Sequence, residues 1–131
     1  MKFDIEKLSQ ELQKVCRDVI FALLHGSAKD GYVNTGSDID IALYIQGAAD
    51  LDLYGAASQA VNRICPEAEP DIGILNNAEP VYCFEALKGK LLFTRDKEAY
   101  LRFFSLTCRE YESQIADYER QHKYRLEAKD H

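Results

Sequence analysis

Apolar residues Phe3, Ile5, Leu8, Leu12 and Val15 recur at steps of two to four along the first stretch of the chain, with Cys16 directly after Val15. Spacing of that kind lines one face of a helix, which predicts a helix over residues 3–17. The pattern then changes. Val19 to Leu24 is an unbroken apolar run, too short for a buried helix and stopped by glycine, so a buried strand is expected. Residues 28–37 are polar with two glycines and read as a short helical turn plus loop. DIDIALYI alternates, with Ile39, Ile41, Leu43 and Ile45 on one face, as in a strand.

A helix follows from Asp50 to Ile64, with an Asp near its start. CPEAEP is a proline-flanked connection, and DIGIL (71–75) is a short strand. PVYCFEALKGK is expected to be helical, with Pro80 in the first turn and Gly89 near the end. LLFTR (91–95) is either a fourth strand or an extended link. From Asp96 to about Lys123 a long helix carries Tyr100, Phe103, Phe104, Leu106, Tyr111, Ile115 and Tyr118, and the last residues, YRLEAKDH, are expected to fray. The order αβαβαβα predicts an α/β (α+β) fold with a small mixed sheet of three to four strands flanked by helices.

Length and charge narrow the picture. A chain of 131 residues is expected to form one domain, residues 1–131, with most of its apolar surface in a single core. Its formal net charge of −6 and pI near 5.0 disfavour direct binding of nucleic acid through phosphates and suit a cationic partner or bound metal. No apolar run reaches the length of a membrane span, and MKFDIEKLSQELQ lacks the apolar core of a signal peptide. Cys16, Cys65, Cys83 and Cys108 form no CxxC pair, so they are expected to be packing residues rather than zinc ligands. These features together place the protein in a reducing cytoplasm, away from membranes.

The chemistry concentrates in HGSAKDGYVNTGSDIDIALY, residues 25–44. On a strand, Asp38 and Asp40 project from the same face, while Ile39 and Ile41 turn to the core. Two neighbouring carboxylates repel unless a cation sits between them. Mg²⁺ prefers carboxylate oxygens and commonly keeps phosphate ligands as well. Gly26 and Ser27 stand where the buried strand ends, so free backbone N–H groups, a hydroxyl and the room left by glycine suit phosphate. Asp71 opens the strand DIGIL; if that strand lies beside DIDIALY, three carboxylates share one sheet edge and can hold two Mg²⁺ ions. Asp ahead of a strand is also an ordinary turn residue, and Asp-Ile-Asp taken alone fits that use equally well.

Gly26-Ser27, ten residues, then Asp38-Ile39-Asp40 resembles the signature of the DNA polymerase beta-type nucleotidyltransferase superfamily. The short chain, the later EPDIGIL and the C-terminal half from VYCFEALKGK to the long charged helix look like its minimal nucleotidyltransferases. Proteins of that branch are often encoded as antitoxins beside a HEPN-domain ribonuclease toxin. The resemblance implies a nucleotidyltransferase fold and transfer of AMP from ATP to a tyrosine of such a toxin. It implies that Asp38, Asp40 and Asp71 bind Mg²⁺ and that Asp71 helps deprotonate the acceptor. Gly26 and Ser27 would hold phosphates, and Ser37 would orient the loop.

Where the minimal branch often carries arginines, this chain has Ala28, Lys29 and Asp30; Lys29 would supply the positive charge, as a point charge rather than a fork. An aromatic is common at the place of His25, which is expected to pack or anchor the loop. Tyr111, Tyr118 and Tyr124 are expected on a half-buried helix face, with a partner-binding stripe as the other use. Two other functions stay open: transfer to a small hydroxyl compound such as an aminoglycoside, and a binding antitoxin without turnover.

Overall fold

The computed structural model describes residues 1–34 and 36–129, with side chains described to Leu126. Its elements are α1 (Ile5–Val15), β1 (Val19–His25), a single 3₁₀ turn (Gly26–Ala28), β2 (Asp38–Ile45), α2 (Leu51–Ile64), β3 (Glu69–Ile74), α3 (Pro80–Leu87), β4 (Lys90–Thr94) and α4 (Lys97–Lys129). The four strands form one mixed sheet in the order β3-β2-β1-β4. β1 runs antiparallel to both of its neighbours, and β2 is parallel to β3. LLFTR therefore belongs to a strand, not to a link.

Local chemistry sets the element ends. The Asp4 side chain accepts a hydrogen bond from Lys7 N at 3.1 Å and caps α1. Asp50 caps α2 in the same way through Leu53 N at 2.9 Å. Pro80 stands at the start of α3, where its missing N–H costs nothing. The Arg95 guanidinium binds the carbonyls of Gln13, Cys16 and Val19, which ties the end of β4 to the α1–β1 connection.

β2 is covered on both faces. Ile39, Ile41, Leu43 and Ile45 pack with Leu8 and Leu12 of α1 and with Ala57 and Val61 of α2. On the other face Phe21, Leu23 and Ala42 meet Cys83, Ala86 and Leu87 of α3. The Phe21 ring stacks on Tyr44 at 4.9 Å and meets the edge of Tyr100 at 5.1 Å. Burying each such large side chain contributes about 1.5–3 kcal/mol. Only the start of β2 escapes cover: Asp38 is exposed and Asp40 half-buried.

Two expectations for the C-terminal region are corrected. The segment YRLEAKDH was expected to fray, yet α4 runs on through Lys129; residues 130 and 131 lie outside the described part. Its Glu, Lys, Arg and Leu content favours helix, and Arg120 pairs with Asp117 one turn back. The half-buried face expected for all three tyrosines holds only for Tyr111, which stacks on Phe84 at 3.9 Å. Tyr118 is 67% exposed and Tyr124 is 76% exposed. The eight residues of α3 span about 12 Å, whereas the 33 residues of α4 span about 50 Å, so α4 outruns its support.

The four cysteines are free, with Cys16, Cys65 and Cys83 buried, as packing residues are. Among the described residues no helix is long and apolar enough to cross a membrane.

Candidate active site

All four strands present a terminus at one edge of the sheet. The parallel register of β2 and β3 sets Asp40 directly beside Asp71, and the antiparallel register of β1 and β2 sets His25 beside Asp40. Asp38, Asp40 and Asp71 each offer a carboxylate oxygen, and these atoms all lie within 4.8 Å of one another. The carboxyl of Asp40 is pushed up to about 6 from its usual 3.8. Burial is the largest cause, followed by a hydrogen bond with Asp71 and the negative charges of Asp71 and Asp38. Three hard oxygen donors this close, one of them driven toward its protonated form, are chemically matched to a divalent cation.

Gly26 opens the 3₁₀ turn at φ +73°, a conformation that L side chains rarely adopt. A Cβ at this position would also collide with the Asp40 Oδ2 oxygen. The glycine thus lets the turn sit directly against the carboxylates. Ser27 and Lys29 are exposed on the same turn. Ser37 lies at the other end of the loop. Its N–H donates to Asn34 O at 2.9 Å, and its carbonyl accepts from Glu69 N at 3.3 Å, which splices the loop to the start of β3. The structure thus brings Gly26, Asp38, Asp40 and Asp71 into one cluster, with Ser27 and Lys29 beside it, and uses the Ser37 backbone as a brace.

His25 is half-buried, and its ring meets Tyr82 edge-on at 5.7 Å. Burial holds its pKa below the usual value, against the pull of Asp71 and Glu85. Tyr82 of α3 was not singled out in the sequence. Its hydroxyl lies against Gly73, where a Cβ would collide with it. Burial, then Asp71 and Asp40, keep this phenol protonated to higher pH than usual. The available signal was Gly73 itself, since a glycine inside a strand marks a close approach.

An aspartate pair at a strand start, a third aspartate across the parallel register and a glycine turn pressed against them form one cluster whose oxygens are spaced to suit a divalent cation. The model of the polymerase beta nucleotidyltransferase family matches residues 6–98, well over half of the chain. The chain belongs to that family.

A search of curated proteins returned no match. Solved structures do match. A chain of a mutant MntA–HpeT toxin–antitoxin, in which two aspartates two positions apart are replaced by glutamate, aligns with a TM-score of 0.74 at 19% identity, over 94% of this chain and 98% of that one. A toxin–antitoxin with AMP-PNP aligns with a TM-score of 0.72 at 20% identity, over 94% and 98%. A tri-AMPylated Shewanella oneidensis HEPN toxin in complex with MNT antitoxin gives a TM-score of 0.68 at 18% identity, over 94% and 99%. At such identities the likeness establishes a shared fold.

Proposed function

We propose that the protein is a Mg²⁺-dependent nucleotidyltransferase that moves AMP from ATP to a tyrosine hydroxyl of a HEPN-type ribonuclease toxin, and so acts as its antitoxin in the cytoplasm. The carrying observation is the cluster of Asp38, Asp40 and Asp71, with oxygens within 4.8 Å of one another against the Gly26 turn. The family is one of nucleotidyltransferases. Structures of the same fold come from a toxin–antitoxin with AMP-PNP and from an AMPylated HEPN toxin with its MNT antitoxin, which supports the donor, the transferred group and the kind of partner.

Asp38, Asp40 and Asp71 would hold Mg²⁺, two ions in the full complement. Bound there, Mg²⁺ supplies charge neutralisation for the phosphates and acidifies the acceptor hydroxyl. The backbone N–H groups of the Gly26–Ala28 turn and the Ser27 hydroxyl donate hydrogen bonds to phosphate oxygens. Lys29 adds positive charge beside them. Asp71 takes the proton of the acceptor phenol. The phenolate oxygen forms a bond to the α-phosphorus, the bond from that phosphorus to the bridging oxygen breaks, and pyrophosphate leaves with the electron pair. The protein's main contribution is alignment and a preorganised charge pattern.

The experiment is substitution of Asp38→Asn and Asp40→Asn. Both variants are expected to keep their circular dichroism spectrum, to melt no lower than the wild type in the absence of metal, and to lose AMP transfer to the toxin. Transfer at the wild-type rate in both would contradict the assignment. Neutralisation of the toxin by an inactive Asp38→Asn protein would instead favour an antitoxin that works by binding alone.

A further inference from the structure

We infer that Tyr82 is a positioning residue for Asp71: when a cation occupies the carboxylate cluster, the Tyr82 hydroxyl donates a hydrogen bond to an Asp71 oxygen. That bond fixes the Asp71 side chain for holding metal and for taking the proton of the acceptor. The inference rests on the nucleotidyl-transfer function proposed above and adds a residue to its machinery. Small residues make the room for it. Asp40 pairs with Asp71 in the parallel register, and two residues further along Ala42 pairs with Gly73. Residues two apart on a strand share a face, so Gly73 and Ala42 lie on the face that carries the carboxylates, directly inboard of them.

The Tyr82 ring enters this gap from α3. Its hydroxyl occupies the place that a Cβ at Gly73 would take. On the β1 side the ring meets His25 edge-on at 5.7 Å. His25, Asp40 and Asp71 stand side by side on three neighbouring strands. Tyr82 therefore walls the inner side of the carboxylate cluster, with its polar end over β3. Asp71 and Gly73 are two residues apart, roughly 6.5 Å along the strand. An Asp71 side chain that leans along the strand covers most of that distance, and a hydrogen bond of about 2.7 Å covers the rest.

Metal binding changes which group donates to Asp71. Asp40 and Asp71 share a hydrogen bond. A cation binds carboxylates in their deprotonated form, so it displaces the shared proton and takes that donor away from Asp71. Carboxylates that ligate metal are as a rule held by outer hydrogen bonds. The Tyr82 hydroxyl is a donor within reach. No hydrogen bond to another described residue engages it, and burial, Asp71 and Asp40 keep it protonated. A phenol that stays protonated donates to Asp71 and does not compete with it for the proton of the acceptor.

The test is Tyr82→Phe, which keeps the ring and removes only the hydroxyl. Wild type and variant are compared by calorimetric titration with Mg²⁺, by melting temperature in EDTA, and by kcat and KM for ATP at saturating Mg²⁺. The variant is expected to bind Mg²⁺ about tenfold more weakly and to lose about tenfold in kcat, with KM for ATP within about twofold of wild type. The hydroxyl holds no partner that the substitution would orphan, so the melting temperature in EDTA should stay within about 4 °C. A lower melting temperature with Mg²⁺ affinity within about twofold of wild type would make Tyr82 a packing residue and overturn the inference. Absence of Mg²⁺ binding by the wild type overturns it as well. Hydroxyl-dependent Mg²⁺ binding by a protein that transfers no AMP keeps the inference and removes the proposed reaction. AMP transfer with kcat and Mg²⁺ affinity indifferent to the hydroxyl does the reverse.

Discussion

Gly26 and Asp40 constrain each other at the centre of the site. The backbone at Gly26 has φ +73°, and a side chain there would meet the Asp40 carboxylate. Gly26→Ala should therefore cost about 1–2 kcal/mol from the left-handed backbone alone and push Asp40 out of place. We expect a lowered melting temperature and a loss of transfer larger than that destabilisation explains; a variant with wild-type activity at low temperature would show that the contact is immaterial.

Asp40 also gives a pH signature. Its carboxyl is raised to about 6, so below that pH a proton must leave before a cation can bind. Mg²⁺ affinity should fall by about tenfold between pH 7.5 and pH 5, measured by titration calorimetry. Without metal the same shift opposes the fold. Asp40 binds its proton more tightly in the folded chain than in the unfolded one, so its stabilising contribution is present below about pH 4 and is lost as pH rises through about 6. Asp40→Asn should accordingly raise the melting temperature of the metal-free protein at pH 7 while abolishing transfer.

At the scale of elements, the sequence displayed the strands that matter. The alternation in DIDIALYI and the apolar run before His25 are direct consequences of burial on one or both faces, and β1 and β2 form where those patterns predict. The sequence predicts a strand over 71–75 with Asp71 at its start, whereas β3 runs Glu69–Ile74 and Asp71 is its third residue; its place opposite Asp40 depends on the parallel pairing of β2 and β3, a long-range contact that no local pattern encodes. Tyr82 stayed hidden for the same reason. It reaches the site through the packing of α3 on the sheet. The misjudged element was α4, whose apolar positions look like a core stripe although α3 covers only part of it.

That helix yields its own prediction. Phe103 and Tyr111 contact the body of the protein, whereas Ile115, Tyr118, Tyr124 and Leu126 are all exposed. Truncation after Glu112 should leave the melting temperature within a few degrees of the full chain, since about 1 kcal/mol shifts it by only about 2–8 °C. A collapse of the fold would mean that the distal half of α4 carries stability through contacts absent from this structure.

For the molecule as a whole, an acidic chain is proposed to act on an anionic substrate, so the carboxylates on β2 and β3 would meet its phosphates through bound cation and not directly. The net charge of −6 therefore says little about the site itself, which depends on where the charges stand. The most direct measurement of the central claim uses purified protein, Mg²⁺ and a native cell extract, with ATP labelled at the α-phosphate in one tube and at the γ-phosphate in another, followed by mass spectrometry of any labelled protein. AMP transfer predicts label from the α position only, on a tyrosine of a HEPN-type partner. Label from the γ position, or no labelled protein in either tube, would contradict the account.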